Sequence, residues 1–180
     1  MAARENVTVG PARLFVADAG TALPGRSDLT ALKAGSLSGW TELGHTATPV
    51  AVTETPQVTT VTSQQAGRPL DAYIASYDTH VTTSLRETTA GNVALAFRAT
   101  VDGDDLDAGA PKRVPVKALA VVGPWHGTDE VLIVVARTAL SAETSLTFDA
   151  ENGAELPVDF VVMDASPATD YAILLPTTGS

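Results

Sequence analysis

The side chains able to do chemistry are few and scattered. Three histidines, His45, His80 and His126, stand far apart in a chain of 180 residues. No two share a metal-ligand spacing, and there is no His-Glu-x-x-His. They read as ordinary surface or turn histidines, with Glu42 and His45 forming at most a local pair. Gly35-Ser36-Leu37-Ser38-Gly39 has the outline of a hydrolase elbow, but Leu37 stands where the nucleophilic serine is required. The acidic run Asp102, Asp104, Asp105 and Asp107 offers the oxygen ligands that calcium takes. Its spacing fails the EF-hand pattern: Leu106 occupies the fifth position, Asp107 the place of the glycine and Arg113 the twelfth position. That stretch reads as a solvated, mobile loop over 101–113.

Cysteine is absent, so disulfides, thiolate metal sites and a cysteine nucleophile are excluded. Asn6-Val7-Thr8 matches a glycosylation sequon, which matters only in a secreted eukaryotic protein. Glycine-rich phosphate loops and basic–aromatic stripes for single-stranded nucleic acid are missing. No nucleophile, base and oxyanion donor come together in the pattern. The expectation is a protein that is not an enzyme, takes no cofactor or metal, and works through its surfaces.

The elements that would carry those surfaces are strands. The chain holds 24 threonines and 20 valines, nearly a quarter of its residues. Such β-branched residues suit a pleated sheet and lose rotamer freedom in a helix. Hydrophobic residues make up 44% and mean hydropathy is +0.13, which is a globular composition. The length suits one domain over residues 1–180. No apolar run approaches the roughly 20 residues of a membrane-spanning helix, and no secretory signal is visible at the N-terminus. The chain is therefore expected to be made in a cytoplasm.

The net charge of -10 is unevenly spread. Residues 1–100 carry eight acids against seven bases, and residues 101–180 carry thirteen acids against four bases. An acidic surface disfavours ordinary nucleic-acid binding. It serves solubility, or, on a sharper reading, a wall that DNA passes without sticking.

Alternation and turn residues predict a first strand over Val7–Ala17, with Leu14 and Val16 on one face and Phe15 on the other. A loop follows, in which Asp28 caps a short helical turn through Leu32. Ser38–Glu42 carries Trp40 as an apolar anchor. Val50–Gln65 reads as two polar Thr/Val arms, Pro49–Glu54 and Gln57–Gln64, interrupted by Pro56. A pair this poor in core residues is an edge, or finds its partners in another chain. Leu70–Ser76 and Thr79–Arg86 read as a further strand pair. Thr88 or Thr89 caps one helix, with Val93, Ala96 and Phe97 at helical spacing and an end near Ala99 or Thr100. Apolar runs at Val116–Val122, Glu130–Ala136, Ser145–Phe148, Val158–Met163 and Tyr171–Leu175 complete a mainly β chain. The predicted fold is an antiparallel β-sandwich or barrel with one α-helix.

Several strings have a familiar order. They are Val9–Val16, then Gly39-Trp40-Thr41-Glu42-Leu43-Gly44-His45, then the Thr/Val/Glu-rich Val52–Gln64. Leu85-Arg86-Glu87-Thr88-Thr89-Ala90-Gly91-Asn92-Val93 follows, and Glu130–Ser141 and Leu156–Met163 close the set. In that order, over roughly Val9 to Leu175, the sequence resembles the major tail tube proteins of siphophages, particularly those of actinobacterial hosts. The resemblance implies a structural subunit that forms six-membered rings stacked into a hollow tube. It implies an inner β-barrel built jointly by the subunits and an acidic lumen that genomic DNA traverses. The implied partners are the chain itself, a tape-measure protein, and tail tip and tail terminator proteins, with no membrane. The implied place is the virion tail, assembled in the bacterial host cytoplasm. An extended hairpin near residues 47–66 would carry the inter-subunit contact through Val50, Val52, Glu54, Val58 and Val61. Lumen candidates are Glu42, Glu54, Asp71 and Asp78, and the core anchors are Trp40, Phe97 and Phe160. Contractile-tail and type VI secretion tubes share this architecture. The alternative of a different class is a monomeric β-sandwich binding module, which two tryptophans and 5% aromatics serve poorly if the ligand is a carbohydrate.

Overall fold

The computed structural model describes residues 11–62, 69–102, 105–107, 114–125, 129–141, 145–149, 153–165 and 169–176. Strand β1 (Arg13–Asp18) is followed by a 3-10 turn (Arg26–Asp28) and helix α1 (Leu29–Lys33). Then come β2 (Thr41–Glu42), β3 (Ala51–Thr62), β4 (Pro69–Leu85) and helix α2 (Ala90–Phe97). The chain continues through β5 (Thr100–Asp102), β6 (Asp105–Asp107), β7 (Val116–Pro124) and β8 (Glu130–Leu140). It closes with β9 (Thr147–Asp149), β10 (Gly153–Val162) and β11 (Tyr171–Leu174). Among the described residues nine strands make one antiparallel sheet, in the order β2-β1-β7-β8-β10-β4-β3. In addition β11 pairs with β8 and β9 with β10. The sheet is open: its two end strands, β2 and β3, do not meet, so it is not a closed barrel.

The continuous apolar runs of β7 and β8 have a simple cause: the middle of the sheet is covered on both faces. Leu14, Leu119, Val121 and Val135 face one cluster, with Val81, Leu85, Ala96, Leu156, Val158 and Phe160 from β4, α2 and β10. Phe15, Ala17, Ala120, Val122, Leu132 and Val134 face the other, under Leu29, Leu32 and Trp40. The alternation of Leu14 and Phe15 thus divides two cores rather than core from solvent.

The motif around Trp40 joins those cores. Gly39 and Gly44 both hold positive φ, +80° and +81°, where L side chains are strained. Between them Trp40 is buried in one cluster, its indole N–H donating to Ala22 O at 3.1 Å. Leu43 is buried in the other, and its N–H donates to Leu14 O at 2.9 Å. A Cβ on Gly44 would fall 2.2 Å from the Glu87 carboxylate, which accepts the His45 N–H at 3.0 Å. Asn92, buried in the first turn of α2, closes the knot by donating its amide to Leu43 O at 2.9 Å and Glu87 O at 2.8 Å. Replacing Asn92 by alanine leaves both carbonyls short of a donor and is expected to cost about 2–4 kcal/mol. Chemical denaturation of the monomer measures it, and an unchanged midpoint would mean water serves both carbonyls equally well.

Four sequence expectations are corrected. Leu70–Ser76 and Thr79–Arg86 are not a strand pair but one strand, β4: Tyr77 and Asp78 form no turn and pair with Pro56 and Thr55. Likewise Pro49–Glu54 and Gln57–Gln64 do not pair with each other. From Ala51 on they run through Pro56 as the single strand β3, an edge strand on which the missing proline N–H is tolerated. The acidic stretch is not loop throughout, since β5 and β6 pair as a ribbon with Val101 opposite Leu106. Asp28 does not cap α1 through its side chain; its carboxylate turns back to accept the Gly25 N–H at 2.8 Å. Elsewhere only boundaries move. Thr89 caps α2 by accepting the Asn92 N–H, and the helix stops at Phe97 because Arg98 turns left-handed, at φ 56°. Within Ser38–Glu42 only Thr41 and Glu42 are strand, as β2, and Gly39 takes positive φ ahead of them. Val7 to Gly10, His126, Arg113 and residues 63–68 lie outside the described residues.

Candidate assembly interface

The β3–β4 hairpin outruns the sheet that supports it. Strand β10 pairs with β4 only from Leu85 to His80. Beyond that, β4 has β3 on one side and no described strand on the other. The far edge of β3 has no partner strand among the described residues. From Thr55 to Thr62 the hairpin therefore continues for roughly 25 Å, at about 3.3 Å per residue, as a two-stranded ribbon. Isolated two-stranded hairpins are at best marginally stable in water. This one also exposes large apolar side chains: Val58 (58%), Val61 (47%), Tyr73 (54%), Ile74 (61%) and Tyr77 (49%). An open, apolar edge strand of this length is a template for pairing with another chain.

The register assigns faces. Val52 opposite Val81 and Glu54 opposite Thr79 point to the core side. A shift between Gln57 and Val58 leaves Ala75 as an extra residue on β4. This bulge brings Ile74 opposite Val58, on the core-side face of β3, and places Tyr73 on the other face opposite Thr59.

The five residues assigned to inter-subunit contact fall into two groups. Val50 and Val52 are partly buried against the main core, at the root of the hairpin. Val58 and Val61 stand exposed on the ribbon, and Glu54 sits at the junction, accepting the Tyr171 hydroxyl at 2.5 Å. Tyr73, Ile74 and Tyr77 stand exposed on the same ribbon as Val58 and Val61 and are absent from the sequence-based set. Their signal is a Tyr/Ile-rich strand whose partner strand has almost nothing to bury.

The lumen candidates do not share one surface. Glu42 lies on β2, at the opposite end of the sheet from β3. Its carboxylate takes two hydrogen bonds from Arg13, to Nε at 2.6 Å and Nη2 at 2.5 Å. Glu54 faces the core side, whereas Asp78 opposite Thr55 and Asp71 opposite Val61 face away. Of the core anchors, Trp40 and Phe160 are buried in different clusters, and Phe97 is half-buried against the cluster of Phe160.

The Arg13 hydrogen bond, opposed by partial burial, holds the Glu42 carboxyl below its ordinary value. A depressed folded-state value means stability that is present above the unfolded carboxylate range, around pH 4.3, and is lost as pH falls through the lower folded value. The Tm difference between wild type and Glu42→Gln is therefore expected to shrink as pH is lowered from 6 to 3, about the carboxylate range. A difference constant over that range would mean the pair adds nothing through its charge.

His80 is tied to a carboxylate. His80 Nδ1 lies 2.9 and 3.2 Å from the two Asp159 oxygens, and Ser141 Oγ donates to the same carboxylate at 2.9 Å. Serine and histidine each bond the aspartate, so the arrangement lacks the serine–histidine bond of a nucleophile and its base. Ser36 Oγ donates to Ala31 O behind α1. Among the described residues no three acid or histidine side chains are placed to hold a metal ion. No described helix is long and apolar enough to cross a membrane.

Compared with known proteins, the chain matches a family model described as Phage tail tube protein over residues 1–177. No curated protein matches it.

Proposed function

The chain belongs to the phage tail tube protein family, and from that premise we propose that it polymerises as six-membered rings stacked into the hollow tube of a siphophage tail. It is a structural protein of the virion tail, and the family implies self-assembly into a tube alongside other tail proteins. The observation that carries the finer reading is the hairpin. Beyond His80 neither of its edges has a partner strand among the described residues, and five large apolar side chains stand exposed on it. A neighbouring subunit pairing with those edges supplies the missing ladder and covers the apolar groups at once. Joined around a ring, such pairings close the open sheets of the subunits into a common barrel, which removes the edges.

The net charge of -10 supports the proposed cargo. A wall of like charge lets genomic DNA pass without binding it. Asp71 and Asp78, on the face turned away from the core, remain the lumen candidates among the hairpin acids. A tape-measure protein fills the tube during assembly in the host cytoplasm, and tail tip and terminator proteins bound its ends.

Negative-stain electron microscopy of the concentrated protein, over a range of salt and with or without the tail tip complex, tests the reading. Hollow tubes or stacked rings with six subunits are expected. A subunit that stays monomeric even with the tip complex present would overturn it in favour of a monomeric binding module.

A further inference from the structure

Where the hairpin leaves the sheet it opens a cleft of about 400 Å3, lined by Ser76, Tyr77, Thr79, Val162, Asp164 and Asp170. The cleft is negative. The Tyr77 hydroxyl donates to Asp170 at 3.2 Å, and the Tyr171 hydroxyl beside it donates to Glu54. Both donors are neutral and bring no positive charge to the cleft. Both phenols are held protonated above the usual tyrosine value, first by these hydrogen bonds; for Tyr77 the charges of Asp170, Glu54 and Asp164 add to the effect. None of the ion pairs among the described residues involves Glu54 or Asp170; at the rim, Arg137 Nη1 donates to the Asp164 carbonyl at 2.9 Å.

Thr79 is the second observation. It is 2% exposed, lines the cleft, and its Oγ1 has no hydrogen-bond partner. A buried hydroxyl left unpaired is unfavourable unless a polar group arrives to meet it. Among the described residues no three carboxylates converge as metal ligands would. The fitting ligand is a cationic side chain, which needs one carboxylate and one neutral acceptor.

The chain carries candidates at its other end. Arg13, Lys33 and Lys117 are each matched to a carboxylate, and Arg26 and Arg137 hold backbone carbonyls. Arg86 and Arg98, on either side of α2, have no side-chain hydrogen bond or ion pair among the described residues. Arg98 also occupies a left-handed position that glycine or asparagine usually fills. Arg86 lies beyond the end of β4, about 23 Å along the strand from Thr79 at about 3.3 Å per residue, outside the reach of its own cleft.

We propose that the cleft at the hairpin base receives a guanidinium from a second copy of the chain, Arg86 or Arg98 at the α2 end. The contact is head-to-tail, the kind that builds rings when it closes and filaments when it does not. It rests on the tube reading above and gives that reading an electrostatic contact separate from the strand pairing.

The test measures the critical concentration for tube formation by sedimentation, with monomer Tm measured alongside. Asp170→Asn and reversal of the partner arginine (Arg86→Asp or Arg98→Asp) are each expected to raise it about tenfold or more. Combining Asp170→Arg with that same arginine reversal is expected to restore assembly. Thr79→Val removes the hydroxyl at nearly constant shape, and is expected to weaken assembly while the monomer melts no lower. It carries the test if Asp170→Asn proves unstable. Wild-type assembly by Asp170→Asn, or by both arginine reversals, overturns the proposal and leaves the tube reading standing. A wild-type protein that never assembles, even on a tail tip, overturns both.

Discussion

Val58→Asp is expected to abolish tube formation while leaving the monomer as stable as wild type. Val58 is 58% exposed on the ribbon and lies outside both core clusters. Surface substitutions away from packed features usually change stability by no more than about 0.5 kcal/mol. In the proposed tube the same side chain lies in a dry contact with a neighbouring subunit. An unpaired carboxylate buried there costs several kcal/mol at every repeat of the ring. Val52→Asp makes the necessary contrast. Val52 sits opposite Val81, which is fully buried, and packs on the main core. A charge there is expected to destabilise the monomer itself, so lost assembly would say nothing about the interface. Thermal melts and electron microscopy on the two variants separate the roles. Normal tubes from Val58→Asp would remove the distal hairpin from the interface.

Phe160→Ala is expected to cost about 3–5 kcal/mol, the range for emptying a buried phenylalanine site. Phe160 is 1% exposed and sits where three strands meet, opposite Val81 of β4 and Leu140 of β8. A cavity at that junction loosens the β10–β4 ladder, which helps anchor the hairpin to the rest of the sheet. With typical domain stabilities of about 5–15 kcal/mol, such a loss takes a large share of the total. Urea titration of the monomer measures it. Phe97→Ala is the milder comparison, since Phe97 is only partly buried. Equal losses from both would mean that α2 carries as much of the core as β10 does.

The class of fold was legible because it depends on local pattern. Threonine and valine content, turn spacing and alternation gave a mainly antiparallel β chain. The run Val116–Val122 and the stretch Glu130–Ala136 appear within β7 and β8. Thr89 is at the cap where a threonine before Asn92 belongs. The string Gly39-Trp40-Thr41-Glu42-Leu43-Gly44 carries part of the family resemblance. Its glycines, tryptophan and leucine each meet a need set within a few residues or by one fixed neighbour.

The candidate interface was half legible, for a physical reason. Sequence shows that the Thr/Val stretch lacks core residues, but pairing energy lies between strands and leaves little mark on either one alone. Pro56 read as a break because a proline removes a ladder donor, yet on the open edge of β3 no ladder partner is needed. Tyr77 and Asp78 read as a turn because nothing local reveals that β3 runs alongside them. The bulge at Ala75 moves Ile74 to the other face, so simple alternation assigns the wrong side. The cleft is beyond sequence altogether: Glu54, Thr79, Asp164, Asp170 and Tyr171 meet only where β4 departs and β11 takes its place beside β8. Local propensity and patterning thus determined what the chain is built from and the family it belongs to. Which edges stay open, which faces stay bare and which charges gather were decided by long-range pairing, whose energy exists only once the strands have met.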